Sequence, residues 1–337
     1  MTILENEKYI SNIPQYLINS YIETESFPNF LGEHSNHCYW MIFSDYCFAP
    51  SNSFKDSVIT ATIIPFSDYK WLQTYCSLSK LKTKLDIKKS YINDKHISFI
   101  KFMESLPAFH ISLKIDKNLD YYKNEKINEK QFFIQHFEGI KTHYSNHINY
   151  GVAQPNTRMN IENIKKVITE LNNQPKIELF KQAQIISSLI SSISKMIIDS
   201  TQVESKILWC SDRDNILNYL KKSILQPFVF DMIQTDVYRL NPKNRYHLDF
   251  LRKTSIDFDE LVRIPDYIAG TISDLNLEKV SVSHEKFLPI LYSFLTNPNK
   301  SLVLSLKNNS NNLELTKYDF KKVVTKEPNW NNYKKIK

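Results

Sequence analysis

The chain reads as an α/β protein with a mixed sheet flanked by helices. Two short apolar runs, Cys38–Phe43 and Ile207–Cys210, lack helical spacing and fit strands. The second, bounded by polar residues, fits a strand buried on both faces. Between them lies a long stretch of helical period at 176–200, where Leu179, Ala183, Ile186, Leu189, Ile190, Ile193 and Ile197 share one side. A helix that leads directly into an apolar strand is the rhythm of an α/β sheet.

At 337 residues, with 42% hydrophobic and 13% aromatic side chains, the chain is long enough to bury a sizeable core. This composition excludes a disordered protein. The formal charge of +7 suits a polyanionic partner. Lysine is nevertheless spread along the chain, without a long basic block. The cysteines Cys38, Cys47, Cys76 and Cys210 show no C-x-x-C spacing. They read as reduced, mostly buried thiols. Met1–Lys8 leads into polar sequence rather than a signal peptide, and no apolar run is long enough for a membrane span. The expectation is a cytoplasmic protein with no membrane contact.

Residues 1–35 are mixed and polar, with Pro14 and Pro28 read as breaks. The first strand, Cys38–Phe43, runs into Ser44-Asp45. A turn region follows at 50–53, and then a β-branched run, Val58–Ile64, stopped by Pro65. Two neighbouring strands with a loop between them predict an antiparallel pair. Spacing predicts helices over 67–82, around Trp71, Leu72, Tyr75 and Leu78, and over Asp94–Ser105. Phe109–Ile115 alternates apolar and polar residues, the period of a half-exposed strand. From 116 to 160 the periodicity fades, which reads as an insertion or long loop. Its lysines, tyrosines and histidines suit contact with phosphates and bases. Helical spacing returns at Ile161, Ile164, Ile168 and Leu171. Tyr246–Arg252 and Leu302–Leu306 read as strands and Glu285–Leu295 as a helix.

The stretch Lys206–Asp214 draws these elements together. Its strand ends abruptly in Ser211-Asp212-Arg213-Asp214. Ligands gather at the carboxyl ends of strands in open α/β sheets, so a carboxylate pair there is well placed for a metal ion. Ser211 and Asp212 could equally cap a helix over 215–222. Further on stands Ile264-Pro265-Asp266-Tyr267-Ile268-Ala269-Gly270. Pro265 suits the first turn of a helix, with Asp266 on that turn facing the sheet edge. Gly270 inside a helical pattern costs roughly 1 kcal/mol against alanine, which predicts close approach of another backbone.

Taken in order, the strand with Asp45, its partner strand, Asp86-Ile87-Lys88 before a helix, the long helix, the strand with Asp212 and the helix 264–270 resemble a large bacterial group of ribonuclease-H-like proteins, the DUF3800 family. That group opens with a strand ending Asp-Glu-Ser-Gly, carries Glu-x-Lys before a helix and closes with Gln-Leu-Ala-Asp-Leu-x-Ala-Gly. Here Tyr46-Cys47 follow Asp45, Asp86 stands for a glutamate, and Ile264-Pro265 stand for Leu-Ala. The resemblance implies a ribonuclease-H-like mixed sheet in one elaborated domain over 1–337. Its core would span about 38–115 and 176–275, with an insertion at about 116–160 and a C-terminal extension at about 280–337. It implies catalytic carboxylates at Asp45, Asp86, Asp212 and Asp266, with Asp214 as a further metal ligand.

Carboxylates clustered at one sheet edge repel one another, and Mg2+ or Mn2+ relieves that repulsion with oxygen ligands. Such ions can activate water and stabilise the leaving oxygen of a phosphodiester. Lys88 or Arg213 would contact the phosphate. The expected function is therefore a divalent-metal-dependent nuclease acting on nucleic acid. Three other readings stand beside it. One is a non-catalytic member that binds a protein or nucleic acid through its insertion and C-terminal segment, a second copy of itself being a further partner. Another is a glycosyltransferase using Asp212-Arg213-Asp214 on a sugar nucleotide. The third is zinc at His34 and His37, or at His136, His143 and His147.

Overall fold

The computed structural model describes residues 13–24, 26–49, 56–68, 70, 92, 94–116, 119, 128–150, 156–173, 176–211, 215–224, 226–241, 246–251, 259–276, 282–309, 312–318 and 320. Its strands are β1 Tyr39–Cys47, β2 Ser57–Phe66, β3 Phe109–Ile115, β4 Ser205–Ser211, β5 Tyr246–Phe250, β6 Ser301–Asn309 and β7 Asn312–Lys317. They form one sheet in the order β5-β4-β1-β2-β3-β6-β7. β1, β2 and β3 run antiparallel in succession. β4 lies parallel to β1, β5 parallel to β4, and β6 parallel to β3. The protein is thus α/β, with a mixed sheet flanked by helices.

The helices are α1 Ile13–Ile22, α2 Phe27–Glu33, α3 Asp94–Ser105, α4 Glu129–Asn149, α5 Thr157–Asn173, α6 Ile177–Ser200, α7 Phe228–Leu240 and α8 Asp259–Asp274. A helical run of three turn types follows α8: a 3-10 turn at Glu285–Phe287, an α turn at Leu288–Ile290 and a π turn at Leu291–Leu295. The period of two along β1 sorts the two cores. Trp40 and Ile42 face the cluster built with α1, α2 and α4–α7. Met41 and Phe43 face the cluster built with α3, α8 and the terminal helical run. Helix α6 is buried almost all round. Its serines make that affordable: Ser188, Ser191, Ser192 and Ser194 each donate to the carbonyl four residues earlier.

Several expectations hold and several do not. The antiparallel β1–β2 pair, α3, α6 and the strands at β5 and β6 form where spacing put them. β2, however, passes through Pro65, which pairs with Trp40 of β1. β3 pairs with β2 no further than Ile63, so Pro65 lies beyond that ladder and costs it no donor. β3 is buried on both faces, not half exposed. Pro14 and Pro28 fall in the opening turns of α1 and α2 rather than breaking structure. Residues 215–223 form turns instead of a helix, and Leu220 takes φ 56, a left-handed conformation a helix does not accommodate. α8 begins at Asp259, so Pro265 lies inside the helix and withholds one backbone donor from it. Of the described cysteines Cys210 is buried, Cys38 intermediate and Cys47 exposed. The expected helix over 67–82 lies outside the described residues save for single positions.

The largest departure is the expected loop at 116–160. Residues 129–149 form α4, with Phe132, Phe133, Phe137, Ile140 and Tyr144 buried. The spacing from 133 to 144 is that of a core-facing helix, carried mostly by aromatic rings. The Phe137 ring lies 5.7 Å from that of Phe180 and 5.9 Å from that of Phe228. Phe137→Ala should therefore cost about 3–5 kcal/mol in denaturant unfolding; a loop residue would cost almost nothing. Gly270 also differs from expectation. A Cβ there would meet only the Phe287 ring, at 3.6 Å, an ordinary contact. Gly270→Ala is expected to stabilise the protein by about 0.5–1 kcal/mol, read as a rise in Tm.

Candidate functional site

The carboxyl ends of β1 and β4 are locked side by side. Their parallel register ends at Ser44 against Ser211. The Trp209 indole N–H donates to Ser44 Oγ at 2.9 Å, and Ser211 Oγ donates to the Ser44 carbonyl at 2.9 Å. All three side chains are buried. This double tie positions Asp45, the next residue of β1. Asp45 is half-buried and pairs with Thr60 of β2. By alternation it shares the face of Met41 and Phe43, the face against which α8 packs. Asp266 lies on α8 and is exposed, between buried Pro265 and Tyr267. The structure thus brings the elements bearing Asp45 and Asp266 into contact. Asp86, Lys88, Asp212, Arg213 and Asp214 lie outside the described residues. Among the described residues, no three His, Cys, Asp or Glu side chains cluster to hold a metal ion.

The same sheet face carries polar residues that spacing assigned to solvent. Thr60 Oγ1 lies 2.9 Å from Ser112 Oγ, in the row beside Asp45. Thr62 Oγ1 lies 3.0 Å from Nδ1 of His110. Burial pushes the His110 imidazole down to about 3, with a smaller contribution from Lys300, so it is neutral. Lys114 is nearly enclosed and holds the Asp56 carboxylate at 3.2 Å. The registers Cys47↔Val58 and Val58↔Lys114 set this lysine two strands from β1, at the end that carries Asp45. That is roughly 10 Å across the sheet. Lys114 is the cation that the sequence reading missed. Alternation marks positions 110, 112 and 114 as one face, but only the second helical layer reveals that this face is covered.

A second polar cluster lies within the helical layer on the other side of the sheet. Asp231 of α7 accepts from Tyr144 of α4 at 3.0 Å and from Gln226 at 2.5 Å, both at Oδ1. Its Oδ2 is buried without a partner. Burial pushes the Asp231 carboxyl up to about 7, against the pull of those two donors. Asp236 accepts from Ser187 at 2.9 Å. Burial raises it to about 6, while Arg239 and Ser187 draw it down. The Tyr144 hydroxyl sits well above its usual range, first through burial and then through Asp231.

These carboxyls make stability depend on pH in a definite direction. Asp231 keeps its proton in the folded protein up to about pH 7, whereas its ordinary value is 3.8. The stability this difference provides is fully present below the ordinary value and is lost as pH rises through 7. That difference corresponds to roughly 4 kcal/mol. Asp231→Asn removes this dependence and keeps an acceptor for Tyr144. It is expected to match the native protein near pH 4 and to exceed it by a few kcal/mol at pH 8, measured by denaturant unfolding. Equal pH profiles would contradict the assignment.

Compared with models of known protein families, with curated proteins and with solved structures, the chain matches none.

Proposed function

We propose that the protein is a ribonuclease-H-like nuclease that hydrolyses phosphodiester bonds of nucleic acid with the help of Mg2+ or Mn2+. The observation that carries this reading is Asp45. It is half-buried at the end of β1, directly beyond the serine and tryptophan ties to the end of β4, on the face covered by α8. The mixed sheet, with β1 between antiparallel β2 and parallel β4, supports it as well. Asp45 and Asp266 supply oxygen donors, the kind these hard cations take. Asp86, Asp212 and Asp214 would complete the set. When bound, the ion would supply activation of water and stabilisation of the leaving oxygen. The chain's own part is to hold carboxylates at one edge and to bring cations towards the phosphate. Lys88 and Arg213 are the cations the motifs point to. Lys114, at the end of the sheet that carries Asp45, is a further cation, shared with Asp56.

The test is a cleavage assay on single- and double-stranded DNA and RNA with Mg2+ and Mn2+, beside calorimetric metal titration. Asp45→Asn keeps the side-chain shape and removes a charge. It is expected to reduce cleavage by at least about a hundredfold and to weaken metal binding, with the fold intact. Unaltered cleavage in Asp45→Asn would rule out the site. A native protein that neither cleaves nor binds these ions would support the binding-only reading instead.

A further inference from the structure

Helix α4 presents His143 and His147 one turn apart. Side chains four residues apart stand on one helix face. The two imidazole rings pack together, with centroids 4.2 Å apart. Tyr238, from the last turn of α7, lies against both, at 4.5 Å and 5.0 Å. Nε2 of His147 is buried with no hydrogen-bond partner. A buried nitrogen in that condition costs free energy that a bound group would recover. Burial pushes His143 down to about 4, aided by His147 and Arg239, and burial lowers His147 as well. Neutral imidazole is the form that ligates metal.

We propose that His143 and His147 form a two-imidazole site for a borderline transition dication, of the class of Cu2+, Ni2+ and Zn2+, separate from the carboxylates at the strand ends. Metal–nitrogen bonds of about 2.0–2.1 Å set two nitrogens on a tetrahedral ion roughly 3.3 Å apart. Ring centroids 4.2 Å apart are compatible with that nitrogen spacing. Among the described residues no third His, Cys, Asp or Glu completes a closed set. Arg239 opposes the ion, but its guanidinium stands 3.9 Å from the Asp236 carboxylate, which offsets part of its charge. His136 does not join the pair, because its ring packs against Phe132 and Phe137. His34 and His37 are a poorer pair, since Nδ1 of His37 lies 3.3 Å from the His34 carbonyl.

The test is calorimetric titration of the full chain at neutral pH with ZnCl2, NiCl2 and CuCl2, and with MgCl2 for comparison. One ion is expected at this site, with Cu2+ tightest and Mg2+ not held there. Affinity should fall at least about tenfold in His143→Gln and in His147→Gln and stay unchanged in His37→Gln. Far-UV circular dichroism establishes that the variants fold. Should either glutamine variant fail to fold, the electron paramagnetic resonance spectrum of the native Cu2+ complex decides, by coupling to two imidazole nitrogens. Native-like affinity in both variants, or no transition-metal binding by the native protein, overturns the proposal. Mn2+-dependent nucleic-acid cleavage is expected to be the same in both histidine variants, so this outcome is read apart from that at Asp45.

Discussion

A sheet whose central strands are covered on both faces leaves the polar side chains of those strands no water to turn to. In β1–β4 several of them are answered by a neighbouring strand. Ser44 receives the Trp209 indole, Ser211 reaches the Ser44 carbonyl, Thr60 meets Ser112, and Thr62 meets His110. Each such bond adds little net stability, but leaving one of these groups unmatched in the core would cost about 1–3 kcal/mol. A shift of register by one residue would break all of them and turn every apolar side chain to the wrong face. The buried polar pairs therefore specify which strands adjoin and at what offset. That offset is what sets Asp45 just beyond the paired ends of β1 and β4.

The helical layer solves the same problem less completely. The serines of α6 satisfy themselves within their own helix and let neighbouring helices approach closely. Asp231 and Asp236 do not have that option. Both are enclosed, and their donors are neutral apart from Arg239, which is 3.9 Å from Asp236. A carboxyl in that setting lowers its cost by keeping its proton. Tyr144 illustrates the result. Its oxygen lies within hydrogen-bond reach of both Asp231 Oδ1 and Gln234 Oε1, yet it owns one proton to donate. Asp231, kept neutral by burial, accepts the Tyr144 hydrogen bond at Oδ1 beside the Gln226 amide.

Much of the sheet was legible from local pattern. Aliphatic runs and a period of two identify strands, and apolar stripes at helical spacing identify α3 and α6. What escaped was whatever depended on the opposite partner. The alternation of 109–115 is the same whether His110, Ser112 and Lys114 meet water or a second helical layer, so burial of β3 could not be read from β3 alone. α4 was hidden because its core face is written in Phe and Tyr among Lys, Asn and His, which dilutes the aliphatic signal. Pro14, Pro28 and Pro65 were read as stops; in the fold two begin helices and one lies past a ladder's end. At the candidate site, Asp45 was legible because it ends an apolar run. Lys114 was not, because its relation to Asp45 exists only through two strand registers. His143 and His147 were legible as residues, and their pairing required knowing that 129–149 is helical.

Burial also sorts the carboxylates by what each can do. Asp231 and Asp236 are closed off from solvent, so a hydrated cation could reach them only if α4, α6 and α7 came apart. Their place is in the packing of those helices and in its dependence on pH. Asp45 is different, because it stands where the strand leaves the doubly covered region. Its backbone is held by pairing to Thr60 and by the adjacent Ser44 ties, yet its side chain is only half-buried. A rigid backbone with an accessible carboxylate is what ion binding asks for, since little ordering remains to be done when the ion arrives. The exposed Asp266 on α8 meets the second half of that requirement but not the first to the same degree, because α8 contains Pro265 and so lacks one of its internal hydrogen bonds. Of the two described carboxylates, Asp45 is therefore the better anchored, and the reading of this edge as a reactive site rests on it.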